Sequence, residues 1–184
     1  MQWRNTKSTY GALAKFLHWT IVVLIIAQYV IIEAAEDLPD GPGKFEMVTR
    51  HKSLGMLILG LALVRIAWKA VNKGQPVPVT MPRLQKVAAA AGHGLLYLLI
   101  LAQPISGWMM SSAANYPVTF FGLFQFPAIV APNEGMHETY EELHEFLFTA
   151  ILVIAVVHVL AALYHHFIQK DDTLRRMLPF ARGR

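Results

Sequence analysis

The residues of this chain best suited to chemistry are its histidines, of which there are eight among 184 residues, whereas cysteine is absent. A chain without cysteine forms no disulfides and has no thiolate metal ligands and no cysteine nucleophile. Histidine can ligate a metal, carry a proton or donate a hydrogen bond near neutral pH. One of the eight, His137, is predicted to lie in a loop. The other seven fall within or at the ends of long apolar segments: His18, His51, His93, His144, His158, His165 and His166.

Composition and hydropathy indicate that these histidines lie in a membrane. The chain is 55% apolar but only 15% charged, with a mean hydropathy of +0.41, whereas soluble domains are about a quarter charged. A helix needs about 20 apolar residues to cross a bilayer. We predict a single domain, residues 1–184, whose transmembrane helices lie near residues 12–34, 52–71, 88–112 and 143–169. Residues 113–131 are apolar but broken by proline and glycine, and we predict a loop at the membrane surface.

The distribution of charge predicts that both termini are cytoplasmic. Thirteen of the sixteen basic residues fall in the N-terminal segment, the second connection and the C-terminal tail, with their flanks. The other side holds only Lys44, Arg50 and Lys52, so the positive-inside rule fixes the orientation. The same division places ten of the twelve acidic residues outside. The sequence pI of about 9.4 therefore follows from topology, and we predict membrane lipid but no nucleic acid as a partner.

The spacing of two histidines in the fourth helix predicts two sites at different depths. His144 and His158 are fourteen residues apart, which is about four helical turns and a rise of about 21 Å. Both therefore face the bundle interior from one side of the helix. His51, at the outer start of helix 2, lies at the depth of His144, so these two can meet. At the depth of His158 two candidates compete, His18 on helix 1 and His93 on helix 3.

Paired imidazoles on facing helices of a bundle are a common way to hold haem iron. Two histidines per iron leave no open coordination position, which favours electron transfer over oxygen binding. The rise along helix 4 would place one haem near each membrane surface. A simpler interpretation also exists, because a buried histidine is often only a hydrogen-bonded polar group. His93, between Gly92 and Gly94, could instead be a small-residue packing point beside a haem.

Several motifs resemble the bacterial cytochrome b561 family. They are His18-Trp19, His51 followed by Gly55, Gly92-His93-Gly94-Leu95-Leu96-Tyr97, Leu143-His144-Glu145, the His158, His165, His166 series and the tail from Lys170 to Pro179. The resemblance covers nearly the whole chain. It implies an all-α membrane protein, a four-transmembrane-helix bundle holding two b-type haems. One haem would be ligated by His18 and His158. The other would be ligated by His51 and His144. The choice of His18 over His93 comes from the resemblance and not from the spacing.

Four further residues are candidates for binding cofactor or substrate, and none is assigned a catalytic role. Arg65 is predicted either to pair with the propionates of the inner haem or to extend to the inner interface. Arg50 and Lys52 flank the helix 2 histidine and could neutralise the outer haem's propionates, draw in a small anion, or anchor the helix at the interface. His165 is our candidate for binding ubiquinone and moving its proton, with interfacial polarity as the alternative.

The resemblance implies a dihaem cytochrome of the bacterial inner membrane that carries electrons between a periplasmic-face partner and the ubiquinone pool. That partner would be a redox protein or a small donor such as superoxide, because the family includes superoxide:ubiquinone oxidoreductases. One alternative is a quinone-reactive membrane anchor of a larger dehydrogenase. A histidine-based divalent-metal transporter is another, but it would need carboxylates inside the bundle. A purely structural bundle would leave the intramembrane histidines unexplained.

Overall fold

The computed structural model of the chain describes residues 2–6, 9–72 and 81–179. Four long helices, labelled in chain order, dominate it: α1 (Ala12–Glu36), α2 (Pro42–Val71), α3 (Arg83–Ala113) and α4 (Glu134–Phe167). A short hairpin of β1 (Val118–Phe120) and β2 (Phe124–Phe126) lies between α3 and α4. All four helices are long and apolar enough to cross a membrane. The chain is therefore a multi-pass membrane protein built as a four-helix bundle.

Three of the helices begin before the predicted membrane segments, by ten residues in α2, five in α3 and nine in α4. These early turns are polar, so hydropathy does not detect them, although they are helical. The first turn of α4 is capped by Asn133, whose side chain accepts a hydrogen bond from the Met136 N–H at 3.0 Å. His137 lies in this turn, and its Nδ1 is 3.2 Å from the carbonyl oxygen of Met110. The prediction that His137 is a loop residue is therefore wrong.

The segment at residues 113–131 contains an antiparallel hairpin where a loop was predicted. Gly122 adopts a φ of +74° between the strands, a conformation that glycine adopts without strain. Ser53 of α2 fastens the hairpin, because its Oγ lies 2.8 Å from the Thr119 carbonyl oxygen and accepts from the Phe121 N–H at 3.1 Å. These contacts join distant parts of the chain, so the local sequence does not reveal them.

The two ends of the bundle differ in what covers them. We call the end that carries the β1–β2 hairpin and the start of α4 the hairpin end. The opposite end, which we call the terminal end, carries the N-terminal segment, the start of α3 and the tail, residues 168–179. The tail is folded across α1: Lys15 Nζ donates to the Leu178 carbonyl at 2.9 Å, and Trp19 Nε1 donates to the Met177 carbonyl at 2.9 Å.

The helices pack in chain order, α1 on α2, α2 on α3 and α3 on α4. Across the described residues, no Cα atom of α1 lies within 8 Å of a Cα atom of α4. These two helices meet instead through side chains such as Tyr29 and Phe148, whose rings stack with centroids 5.5 Å apart. The backbones of α1 and α4 are therefore spaced more widely than those of the three helix pairs that are consecutive in the chain. Exposed apolar residues such as Val23 and Val157 cover the outside, where a membrane would contact them.

Candidate functional site

His51 of α2 and His144 of α4 face each other at the hairpin end. Their ring centroids are 6.3 Å apart and the ring planes are inclined by 77°. Both border a cavity of about 400 Å³ that is lined by all four helices and β1. Small-molecule and cofactor sites typically measure about 300–1,000 Å³. The lining is largely apolar, and its buried polar atoms include Gln28 Oε1 and Ser111 Oγ, neither of which has a hydrogen-bond partner in the described part of the chain.

Hydrogen bonds orient both of these imidazoles. His144 Nδ1 lies 3.0 Å from the Gln103 carbonyl oxygen and 2.9 Å from Ser106 Oγ. Because a carbonyl oxygen only accepts, the proton belongs on Nδ1, which leaves Nε2 as the acceptor for the Gln103 side-chain amide at 3.1 Å. His51 Nδ1 similarly lies 3.4 Å from the Gln28 carbonyl oxygen. Metal-ligating histidines commonly donate their second N–H to such a group. Both hydrogen-bond patterns thus favour an unprotonated Nε2, a form in which the imidazole nitrogen can bind a metal.

Gly107 of α3 provides the space that the His144 ring occupies. A Cβ atom at this position would lie 2.9 Å from His144 Cε1 and 3.2 Å from Nδ1. The sequence alone does not single out Gly107, nor the partners Gln103 and Ser106. A small residue and two polar residues on one apolar helix are a weak signal until the register of α3 against α4 is known.

Three histidines meet at the terminal end. The ring centroid of His158 on α4 is 6.5 Å from that of His18 on α1 and 5.2 Å from that of His93 on α3. The structure therefore brings together both candidates that the spacing left open. Arg65 of α2 is within electrostatic range of all three rings. Its Nε donates to Tyr97 Oη at 3.1 Å, so the half-buried guanidinium is held beside this cluster.

Both ends fit a metal held between two imidazoles. When the metal–nitrogen bonds of about 2 Å and the ring radii are added, two imidazoles on opposite sides of one metal have centroids roughly 6 Å apart. The His51–His144 and His18–His158 separations of 6.3 Å and 6.5 Å match this value. Within residues 2–6, 9–72 and 81–179, no group of three or more His, Asp or Glu is arranged to hold a metal ion. Paired imidazoles are a donor set that can hold haem iron.

The two cations that flank His51 have different environments. Lys52 lines the cavity, and its ammonium lies 5.3 Å from the centroid of the Tyr116 ring. Arg50 is exposed and pairs with Glu46, one turn earlier on α2, at 2.5 Å. Four carboxylates also line the cavity: Glu33, Glu36, Glu141 and Glu145. The charge at this cavity is therefore predominantly negative.

His165, in the last turn of α4, is paired with the tail. Its Nδ1 lies 2.6 Å from Asp171 Oδ2, and Asp171 Oδ1 accepts from the Thr173 N–H at 2.8 Å. Burial alone would raise the pKa of Asp171, but the hydrogen bonds from Thr173 and His165 and the charge of His165 hold that pKa below its ordinary value. Asp171 is thus an ionised carboxylate at neutral pH. It orients His165 through Nδ1 and leaves Nε2 for another partner.

Known proteins resemble this chain over almost its whole length. A family model described as "Prokaryotic cytochrome b561" matches residues 9–180. The chain is 34% identical over 180 residues to "Cytochrome b561 homolog 2" of Escherichia coli (strain K12), covering 97% of this chain and 95% of that protein. It is 31% identical over 177 residues to "Probable superoxide oxidase CybB" of Yersinia pestis, covering 95% and 98%. It is 32% identical over 178 residues to "Cytochrome b562" of Cereibacter sphaeroides, covering 92% and 94%.

Proposed function

Because the chain belongs to the prokaryotic cytochrome b561 family of haem-binding membrane electron-transfer proteins, we propose that it is a dihaem cytochrome linking a donor at the hairpin end to ubiquinone at the terminal end. The observation that carries this proposal is the presence of two histidine pairs, with centroid separations of 6.3 Å and 6.5 Å, at two depths of one bundle. A bound b-type haem supplies a one-electron redox centre. With two imidazoles per iron, each site is suited to electron transfer.

We assign His51 and His144 to the haem at the hairpin end. At the terminal end we assign His18 and His158. The separation of 5.2 Å between His93 and His158 is short for two imidazoles on one iron, which supports His18 as the ligand. The ligands on α4 are separated by a rise of about 21 Å. The two sites therefore follow one another along the bundle axis, as a path across the membrane requires.

The terminal end carries the residues that we assign to quinone chemistry. Reduction of a quinone consumes two electrons and two protons, so the site needs a group that gives up a proton at a quinone oxygen. His165 Nε2–H can do so, since Asp171 accepts a hydrogen bond from Nδ1 and orients the ring so that Nε2 is left for the quinone. We place this end at the cytoplasmic face of the inner membrane, because the sequence segments with thirteen of the sixteen basic residues are predicted to be cytoplasmic, and their described parts lie at this end.

The charge at the hairpin end favours a cationic redox protein as the donor. Four glutamates and one lysine line the cavity, and the neighbouring Arg50 is already paired with Glu46. A negative surface speeds the approach of a cationic partner and slows that of an anion. A soluble subunit of a larger dehydrogenase with a basic docking face would be a partner of the same kind.

Superoxide is a second candidate donor. The relative from Yersinia pestis is named a probable superoxide oxidase. Lys52, which lines the cavity, supports attraction of a small anion. The two donors predict opposite responses to salt and to charge removal, so they can be separated by kinetics.

Rapid mixing of the oxidised holoprotein with each donor tests the hairpin end. For a small cationic reductant, the rate of haem reduction should fall as salt rises and should fall in Glu141→Gln. Glu142→Gln is the matched control, since Glu142 does not line the cavity. A rate with superoxide that falls as salt rises and falls again in Lys52→Gln would establish superoxide as the donor. This result would overturn the proposal that the donor is a cationic redox protein.

Anaerobic mixing with ubiquinol tests the terminal end by running the quinone step in reverse, in which His165 Nε2 accepts a proton from the quinol. We expect His165→Gln to slow haem reduction at least about tenfold, because general acid–base groups contribute about 100-fold or more, while both haems remain bound. His166→Gln, one residue further along α4, is the control. Equal rates in the wild-type protein and His165→Gln would refute the role assigned to His165.

A further inference from the structure

A half-buried arginine of the tail has two buried side-chain nitrogens without a partner at the terminal end, among the described residues. Nε and Nη1 of Arg176 have no hydrogen-bond partner in the part of the chain that the structure describes. The backbone of Arg176 is nevertheless fixed, because its N–H donates to the Asp172 carbonyl at 2.9 Å and its carbonyl accepts from Thr9 Oγ1 at 3.3 Å. Burying charged N–H donors without acceptors is costly, so an arginine held in this way indicates that an anion belongs beside it.

A second guanidinium lies in the same neighbourhood. Tyr10 is within electrostatic range of Arg65, Tyr97 and Arg176. Burial, together with Tyr97, raises the pKa of Tyr10 even though the two guanidinium groups act in the opposite direction. The phenol is therefore neutral at pH 7 and supplies no countercharge. Lys69 adds a third positive charge, with its ammonium 4.9 Å from the centroid of the Tyr97 ring.

The protein's own carboxylates do not neutralise this cluster. Only two of the twelve acidic residues, Asp171 and Asp172, follow α4 into the tail, and the other ten lie in segments that form the hairpin end. Asp171 is paired with His165. Among the described residues, the ion pairs include neither Arg65 nor Arg176. No carboxylate of the described residues therefore neutralises either guanidinium, and an anion bound from outside the chain can supply the negative charge.

We propose that Arg176 and Arg65 form an oxyanion site at the terminal end, and that this site binds a propionate carboxylate of the haem held by His18 and His158. The inference rests on the proposed function for the presence of that haem. Arg65 connects the site to the haem, because its Nε donates to Tyr97 Oη at 3.1 Å, one turn of α3 from His93, whose ring centroid is 5.2 Å from that of His158. Guanidinium groups bind carboxylates through short, charge-assisted hydrogen bonds. The tail is thus a part of the haem site and closes it over α1.

The phosphate of an anionic lipid headgroup offers similar oxygens, so the test must separate the two sources. Holoprotein whose haem carries ¹³C at the propionate carboxyls is placed in phosphatidylcholine vesicles, and its reduced-minus-oxidised infrared spectrum is recorded. In Arg176→Gln the labelled carboxylate bands of the terminal-end haem should shift, and its midpoint potential should fall because a nearby positive charge is lost. The hairpin-end haem should not change.

Arg175→Gln is the matched control, since it removes the same charge from the adjacent residue and Arg175 has no buried nitrogen lacking a partner among the described residues. It should leave the bands and both potentials unchanged. Arg176→Lys should leave the midpoint potential of the terminal-end haem close to the wild-type value but shift its labelled carboxylate bands, because lysine retains the charge without the planar fork. If Arg176→Gln does not fold, the Arg176→Lys spectrum decides alone, and unshifted bands in it overturn the proposal.

Unshifted bands and an unchanged potential in Arg176→Gln would overturn the proposal. It would also be overturned if the wild-type protein gained phosphate bands with anionic lipid and Arg176→Gln lost them, because the site would then hold a lipid headgroup. Failure of the proposed function gives a different result, namely a wild-type protein with no second haem in its spectrum.

Discussion

Replacement of Gly107 by alanine tests how the hairpin-end site is packed. The new Cβ would lie 2.9 Å from His144 Cε1 and 3.2 Å from its Nδ1. Contacts under 3.0 Å are essentially never seen for real Cβ atoms. The imidazole or the backbone of α3 must therefore move. Because α3 packs directly on α4 along the bundle, the ring is the smaller body to displace.

The expected magnitude follows from how firmly the ring is held. His144 Nδ1 is fixed by the Gln103 carbonyl at 3.0 Å and by Ser106 Oγ at 2.9 Å, so moving the ring strains both contacts. Overpacking of this kind costs about 1–3 kcal/mol. If the haem-free protein relaxes and only the haem-bound protein bears this cost, haem binding is weakened about 5- to 150-fold. Alanine also favours the helix by up to about 1 kcal/mol over glycine, but it does so with or without haem.

The measurement is haem content by pyridine haemochrome, together with the rate at which haem is released to an excess of a haem-binding acceptor protein. Gly107→Ala should release the hairpin-end haem faster and leave the other haem unchanged. Gly60→Ala is the control, because a Cβ at Gly60 has no neighbour within 4 Å. If Gly107→Ala released both haems at wild-type rates and kept the wild-type spectrum, the packing of Gly107 against His144 would be refuted.

Three further substitutions probe the two sites and the tail. His93→Ala should retain both haems, because His93 is only 5.2 Å from His158; loss of the terminal-end haem in the optical spectrum would contradict the assignment of His18. Ser106→Ala removes one of the two partners of His144 Nδ1 and should weaken haem binding at the hairpin end about tenfold; an unchanged release rate would contradict this role. The lowered pKa of Asp171 means that its contribution to stability is fully present above the ordinary carboxyl pKa of about 4 and is lost as pH falls through the lowered value. In Asp171→Asn, the thermal unfolding temperature should therefore fall less steeply than in the wild-type protein as pH is lowered. If the two proteins lose stability equally as pH falls, the ion pair with His165 does not hold the tail.

The sequence predicts the four membrane helices and the depth of their histidines because both follow from local rules. About 20 apolar residues make a span, and fourteen residues make a whole number of turns to a close approximation. His51 and His144 lie about equally far from the starts of their helices, nine and ten residues in. The two rings therefore meet, even though both helices begin earlier than hydropathy indicates.

The sequence does not predict features that depend on how distant segments contact one another. His18 and His93 both lie beside His158, and only their ring-centroid separations of 6.5 Å and 5.2 Å distinguish them. Gly107 matters only because α3 places it against His144. The β1–β2 hairpin depends on hydrogen bonds to Ser53, which is more than sixty residues away in the chain.

The arginines illustrate the same limit. Arg50 and Glu46 are four residues apart, a spacing that predicts an ion pair once α2 is known to include Glu46. Hydropathy predicts that α2 begins near residue 52, which places both residues outside the helix. The ion pair is then not predicted, and Arg50 is interpreted as a candidate for binding an anion. For Arg65, the sequence supplied the candidates of propionate binding and extension to the interface. The hydrogen bond to Tyr97 places the guanidinium beside the histidines and supports the first.

The central claim is that each histidine pair holds one b-type haem, and the most direct test is the number of haems per chain in the wild-type protein, His144→Ala and His158→Ala. Pyridine haemochrome analysis and redox titration should find two haems in the wild-type protein and one in each variant. The surviving haem should have a different midpoint potential in the two variants, since the two sites differ in their surrounding charge. A wild-type protein with one haem, or either variant with two, would contradict the claim.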